Sequence, residues 1–215
     1  MGIKKDSAVS AAIKARASSI ELDQAAYGVS RRRISDRIRH PGLYYQRVLR
    51  DVEFLYSLEL SHLAEARRAY LKTVGMFLGI SLPPFTFGDG LSIPHYGSVV
   101  VNDKVRGGKF CRIHSGVNIG ETRDGAPQLG SGVYIGPGAV LYGAIKIGDN
   151  SVIGANSVVN IDVPANSMAV GSPARIVRVD DAPRVMPEWI DQMIHRTGGQ
   201  GDLLGSSTSV GQPER

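Results

Sequence analysis

Two imidazoles stand close together in a stretch otherwise built of short apolar runs. They are His95 and His114 in LSIPHYGSVVVNDKVRGGKFCRIHSGVNIG, residues 91–120. Imidazole titrates at about pH 6.5, so near neutrality it can take the proton from a hydroxyl as that hydroxyl attacks an electrophile. It can also hold a metal, but zinc needs three or four ligands, and Cys111 is the only cysteine of the chain. His95 is therefore read as a general base. His114 is read as its helper or as a contact for the acceptor. The plainer readings are a histidine bonded to a backbone carbonyl and a residue at a surface corner.

What positions these imidazoles is a repeat. Aliphatic residues recur every six positions at Leu129, Ile135, Leu141, Ile147, Ile153 and Val159. A second series of small or apolar residues follows at Val133, Ala139, Ile145, Ser151, Ser157 and Val163. Strands of an ordinary sheet alternate with period two and cannot hold period six. A three-sided parallel β-helix can, with one short strand per face, a tight corner between faces and about three hexads per turn. Glycine or asparagine absorbs the dihedrals of the corner. Carried upstream, the register puts His95 in a slot that expects Leu, Ile or Val, and local violations of this kind concentrate at functional sites. Cys111 falls in a small-residue slot and reads as packing. Between Ile119 and Leu129 the register slips by four residues, so ETRDGAP, residues 121–127, is expected to bulge out as a loop that builds a binding face.

The rest of the chain frames the prism. Residues 1–79 read as a helical segment, an oligomer contact or a cap, with Leu43, Tyr44, Val48, Val52, Leu55 and Leu58 near helical spacing. Residues 80–178 form the β-helix. Residues 179–215 hold a short helix at MPEWIDQMIHR and a polar, glycine-rich tail expected to be disordered. The net charge of +5 comes largely from lysines and arginines before residue 40. With no aromatic interleaving they read as a solvated surface, so nucleic acid is not expected as a partner. Neither a signal peptide nor a membrane span is visible, and a cytoplasmic protein is expected.

IGPGAVLYGAIKIGDNSVIGANSVVNIDVPANSMAVGSPARIV resembles the left-handed β-helix of hexapeptide acyltransferases. With GDGLSIPHYG and VNIGET behind a helical N-terminus, it is most similar to serine acetyltransferases and to the serine-acetyltransferase-like enzymes of polysaccharide loci. That resemblance implies acetyl transfer from acetyl-CoA to a hydroxyl, with no metal. It also implies a homotrimer, possibly a dimer of trimers, with sites between neighbouring prisms and the catalytic histidine at His95. It carries Gly136, Gly154, Ala155 and Asn160 as CoA contacts, with Arg175 near the phosphates. Tyr96, Arg123 and Asp124 are the candidate acceptor contacts.

The sequence departs from that family on the acceptor side. Ile80 stands where an aspartate pairs with the histidine, and Pro94 where an aspartate precedes it. The loop reads Asp124-Gly125-Ala126-Pro127 in place of an Asp-Arg-His-Pro run, and Glu214-Arg215 replaces the isoleucine that docks cysteine synthase. A sugar hydroxyl of a surface polysaccharide or its precursor is therefore the expected acceptor, with L-serine the alternative. A non-catalytic trimeric scaffold and a zinc enzyme of the carbonic-anhydrase branch are the weaker readings.

Overall fold

The computed structural model describes residues 2–29, 36–183, 185–190 and 192. Four helices come first: α1 Gly2–Ala26, α2 Asp36–Arg39, α3 Pro41–Ser57 and α4 Ser61–Leu78. Pro41 opens α3 in the first turn, where its missing N–H costs nothing. The buried face of α3 carries Tyr45, Val48, Leu49 and Val52, the spacing of an amphipathic helix. α4 ends on Gly79 in the left-handed conformation, φ +66°, whose N–H bonds Gly75 O.

From Ile80 onward the chain winds into a left-handed parallel β-helix of three faces. One face stacks β1 Ile80–Ser81, β2 Val99–Val101, β5 Asn118–Gly120, β8 Val140–Tyr142 and β11 Val158–Val159. A second stacks β4 Arg112–Ile113, β7 Tyr134–Ile135, β10 Val152–Ile153 and β12 Met168–Gly171, closed by antiparallel β13 Ala174–Arg178. The third stacks β3 Arg106–Gly107, β6 Gln128–Leu129 and β9 Lys146–Ile147.

The period predicted from sequence is the wall of this prism. Tyr134 pairs with Val152 and Val140 with Val158, each eighteen residues on. Every member of both six-residue series is buried. Asn150, Asn156 and Asn166 take positive φ at corners. Where the loop intervenes the offset is twenty-two, as between Arg112 and Tyr134. The four surplus residues leave the wall as a hairpin closed by Thr122 and Gly125. Cys111 lies in the core against Gly108 O and Gly130 O, and burial pushes its thiol up to about 12, so it is filler and not a nucleophile.

One expectation is corrected. His95 does not occupy an inward slot. Ser92 pairs with Arg112, which places Ile93 above Ile113, and Ile93 is the residue that fills the lumen. Val100 next pairs with Asn118. Eight steps on the upper coil thus span six below, and the surplus forces 94–98 outward with His95 exposed at the bend. Counting back by sixes crosses this insertion and lands on His95, two residues past Ile93. At Gly107, a second slot without an aliphatic side chain, Phe87 fills the space: a Cβ there would lie 2.2 Å from its ring.

At the other end, Ile190 packs with Ala26 and Phe110, tying the helical turn at 188–190 to the end of α1. The tail expected to be disordered lies outside the described residues. Among the described residues no helix is long and apolar enough to cross a membrane.

Candidate active site

The corner between the second face and the first is one edge of the prism, and its turns stack in order. Residues 94–98 lie at the top, followed by His114 to Val117, Gly136 to Ala139, and Gly154 to Ser157. The stack is held by bonds from Gly136 N–H to Ile153 O, Gly138 N–H to Ser115 O, and Asn156 N–H to Pro137 O. At about 4.8 Å per coil, the edge runs about 14 Å from His95 to Gly154.

The two imidazoles meet on this edge, with ring centroids 6.2 Å apart. His114 also lies 5.0 Å from the Tyr134 ring one coil below. Its Nε2 is buried and finds no hydrogen-bond partner among the described residues. Burial, then the charge of Arg112 and the neighbouring His95, push the His114 imidazole down to about 4. It is neutral at physiological pH. Arg112 is held in place by a 2.9 Å bond to Ser92 Oγ. Among the described residues no carboxylate forms an ion pair with either imidazole. Ile80, at the position of the missing aspartate, is a core residue.

The lowered His114 value has a thermodynamic consequence. The unfolded chain protonates this ring at about pH 6.5, before the native state does, so its contribution to stability is complete above that pH and is lost as pH falls toward 4. The gap alone would give about 3 kcal/mol. The ring is partly solvated, which screens this to about 1–2 kcal/mol. Urea unfolding at pH 7.5 and 4.5 should show the wild type losing that much more than His114→Gln, and equal losses would contradict it.

The other expected residues divide. Tyr96, 66% exposed, flanks His95, and Gly136, Gly154 and Ala155 line the same edge. Coil stacking already demands the two glycines, since a Cβ on Gly136 would meet Ala155 N at 2.8 Å and one on Gly154 the Val170 side chain at 2.6 Å. Arg175, exposed, pairs across from Val170 near the foot of the edge. Asn160 follows β11 on the far side of the first face. Arg123 and Asp124 are exposed on the hairpin at that other corner, where Lys104 also pairs with Glu121 at 2.7 Å. Within one chain these three do not meet His95. Arg112, Ser92 and Tyr134 were not singled out from the sequence. Nothing in their spacing marks them, and only the stacking of coils brings Ser92 to Arg112 and Tyr134 to His114.

Among the described residues no three His, Cys, Asp or Glu side chains gather into a group that could hold a metal ion. The edge offers what acyl transfer to a hydroxyl requires of the protein: an exposed imidazole, a second one that adds no charge, and a run of small residues ending near an arginine.

Comparisons with known proteins bear on the family and the fold. The family model described as bacterial transferase hexapeptide (six repeats) matches residues 126–160. The serine acetyltransferase of Helicobacter pylori is 36% identical over 140 residues, which cover 60% of this chain and 82% of that protein. That of Synechococcus elongatus is 36% identical over 107 residues, 47% of this chain and 44% of that protein. Among solved structures, soybean serine acetyltransferase apoenzyme superposes with a TM-score of 0.66 at 31% identity, covering 76% of this chain and 69% of that one. Neisseria gonorrhoeae serine acetyltransferase in complex with serine superposes with a TM-score of 0.62 at 29% identity, covering 75% and 69%.

Proposed function

The chain belongs to the serine acetyltransferase-like hexapeptide-repeat acyltransferases, and from that premise we propose that it moves an acetyl group from acetyl-CoA to the hydroxyl of L-serine with His95 as general base. The observation that carries the role of His95 is its position, exposed on an outward bulge at the head of an edge of small residues. Serine, the alternative weighed from the sequence, is supported by the names of the relatives above, one of them solved with serine. A sugar hydroxyl is the second reading. Its support is the hairpin, which carries Arg123-Asp124-Gly125 and no histidine.

Bound acetyl-CoA would supply an acyl carbon already activated as a thioester. His95 accepts the proton of the attacking hydroxyl, which an unassisted alcohol gives up too reluctantly near neutrality, and returns it to the CoA thiolate released as the new ester bond forms and the carbon–sulfur bond breaks. His114 stays neutral and so places no second cation beside the imidazolium that His95 becomes. Tyr96 borders the acceptor, Gly136, Gly154 and Ala155 leave the edge open along the donor, and Arg175 offers its charge to the phosphates. Arg123, Asp124 and Asn160 lie on another corner, so their contribution requires a neighbouring subunit. A homotrimer, or two stacked trimers, is part of this proposal, as is a cytoplasmic location where acetyl-CoA is available.

Purified protein offered radiolabelled acetyl-CoA with L-serine should yield labelled O-acetylserine. Label transferred only to a nucleotide sugar or oligosaccharide would replace serine with the second reading. Absence of transfer to either, together with no CoA binding by calorimetry, would leave a scaffold.

A further inference from the structure

We propose that the helical N-terminal segment is a clamp that positions His95, with Tyr27 and Gln46 gripping one end of its bulge and the end of α4 the other. The inference rests on the reading of His95 as the general base. A bulge with two surplus residues has no continuous ladder of its own to fix its course. The coil below reaches only its approach: Ser92 N–H bonds Cys111 O, and Ser92 O accepts from Ile113 N–H. The next residue, Ile93, is held from the other side. Its N–H donates to Tyr27 Oη at 2.9 Å, and its carbonyl lies 2.8 Å from the same hydroxyl. Tyr27 Oη is also 2.5 Å from Gln46 Oε1, and the Gln46 amide donates to Leu91 O at 2.6 Å. α3 presses against this grip so closely that a Cβ on Gly42 would lie 2.3 Å from Ile93 O and 2.7 Å from Tyr27 Oη.

The far end is bolted just as directly. Gly97 N–H donates to Leu78 O and Val99 N–H to Gly79 O, both at 2.9 Å. A Cβ on Gly79 would sit 3.1 Å from the Gly97 backbone. Three residues, Pro94 to Tyr96, are thus slung between Ile93 and Gly97, each held by the helical segment, and His95 is the middle one. Gln46 is fully buried, and neither it nor the Tyr27 hydroxyl reaches the edge where chemistry occurs. They are positioning residues. The clamp does for His95 what a carboxylate partner does elsewhere: with Ile80 in the core, the direction of the imidazole is set through its backbone.

Tyr27→Phe keeps the ring and removes the hydroxyl. Amide exchange at 95–98 is expected to quicken by about tenfold. The kcat is expected to fall about 10- to 100-fold while the KM for the donor stays within about twofold. In a His95→Ala background the same change should cost nothing further, because it acts through a residue already gone. Gln46→Met should repeat the pattern more weakly, and stands in should Tyr27→Phe fail to fold. Unchanged exchange, unchanged kcat, or an equal loss of rate in the His95→Ala background would each overturn the clamp. Absence of acetyl transfer by the wild type would sink the functional reading instead, and the exchange result would then decide the clamp alone.

Discussion

His95→Ala is expected to lower kcat/KM for acetyl transfer by about 10²- to 10⁴-fold, the usual contribution of a positioned general base. Binding of the donor should be unchanged, because the small residues and Arg175 assigned to it lie further down the edge. The side chain is exposed and, among the described residues, forms no ion pair, so removing it leaves the core intact. Its thermal midpoint should stay within a few degrees of the wild type, since surface substitutions rarely exceed about 0.5 kcal/mol. Thiol release from acetyl-CoA, followed alongside calorimetric CoA titration, separates the two effects. A variant that binds CoA and turns over undiminished would remove His95 from the mechanism. It would shift attention to His114, whose imidazole, pushed down to about 4, is a weaker base for the hydroxyl proton.

The largest effect on stability is expected at Arg50, 4% exposed in the junction between helices and prism. Its guanidinium pairs with Asp23 on α1 at 2.9 Å and with Glu53 on α3 at 2.8 Å, and donates to Phe87 O and Gly88 O on the first coil. The acceptors are tied in turn, since Asp23 Oδ1 takes Gly90 N–H and Glu53 Oε1 takes Phe85 N–H. Arg50→Leu strips a cation from two carboxylates and two carbonyls at once. Breaking one partner of a buried pair typically costs about 3–5 kcal/mol. Chemical denaturation should show a loss of that order. A loss under about 1 kcal/mol would mean that water enters the junction freely. Replacing Asp23 as well should recover part of the loss, since paired apolar replacements spare the uncompensated charge.

The prism was legible because its signal is local and redundant. Six hexads from Leu129 to Val159 must each bury one aliphatic side chain, so the period survives single exceptions, and the slip before Leu129 announces the hairpin at 121–125. The placement of His95 was not legible. Nothing in Pro94-His95-Tyr96-Gly97-Ser98 marks two surplus residues, and only the pairing of Ser92 with Arg112 and Val100 with Asn118 reveals them. The grip of Tyr27 on Ile93 joins residues 66 positions apart in the chain, and the tilted ring contact of His114 with Tyr134 depends on the loop-lengthened coil between them. Such contacts have no spacing rule. The acceptor was harder still, since specificity rests on a few side chains carried by a loop and not on the repeat.

One measurement bears most directly on the claim that the 94–98 edge is where acyl transfer occurs: a crystal structure of the protein with CoA. The thiol is expected beside His95, within about 3–4 Å of the imidazole, with the rest of the molecule running down past Gly136 and Gly154 toward Arg175. A thiol lodged at another corner of the prism, with His95 facing only solvent, would contradict the account.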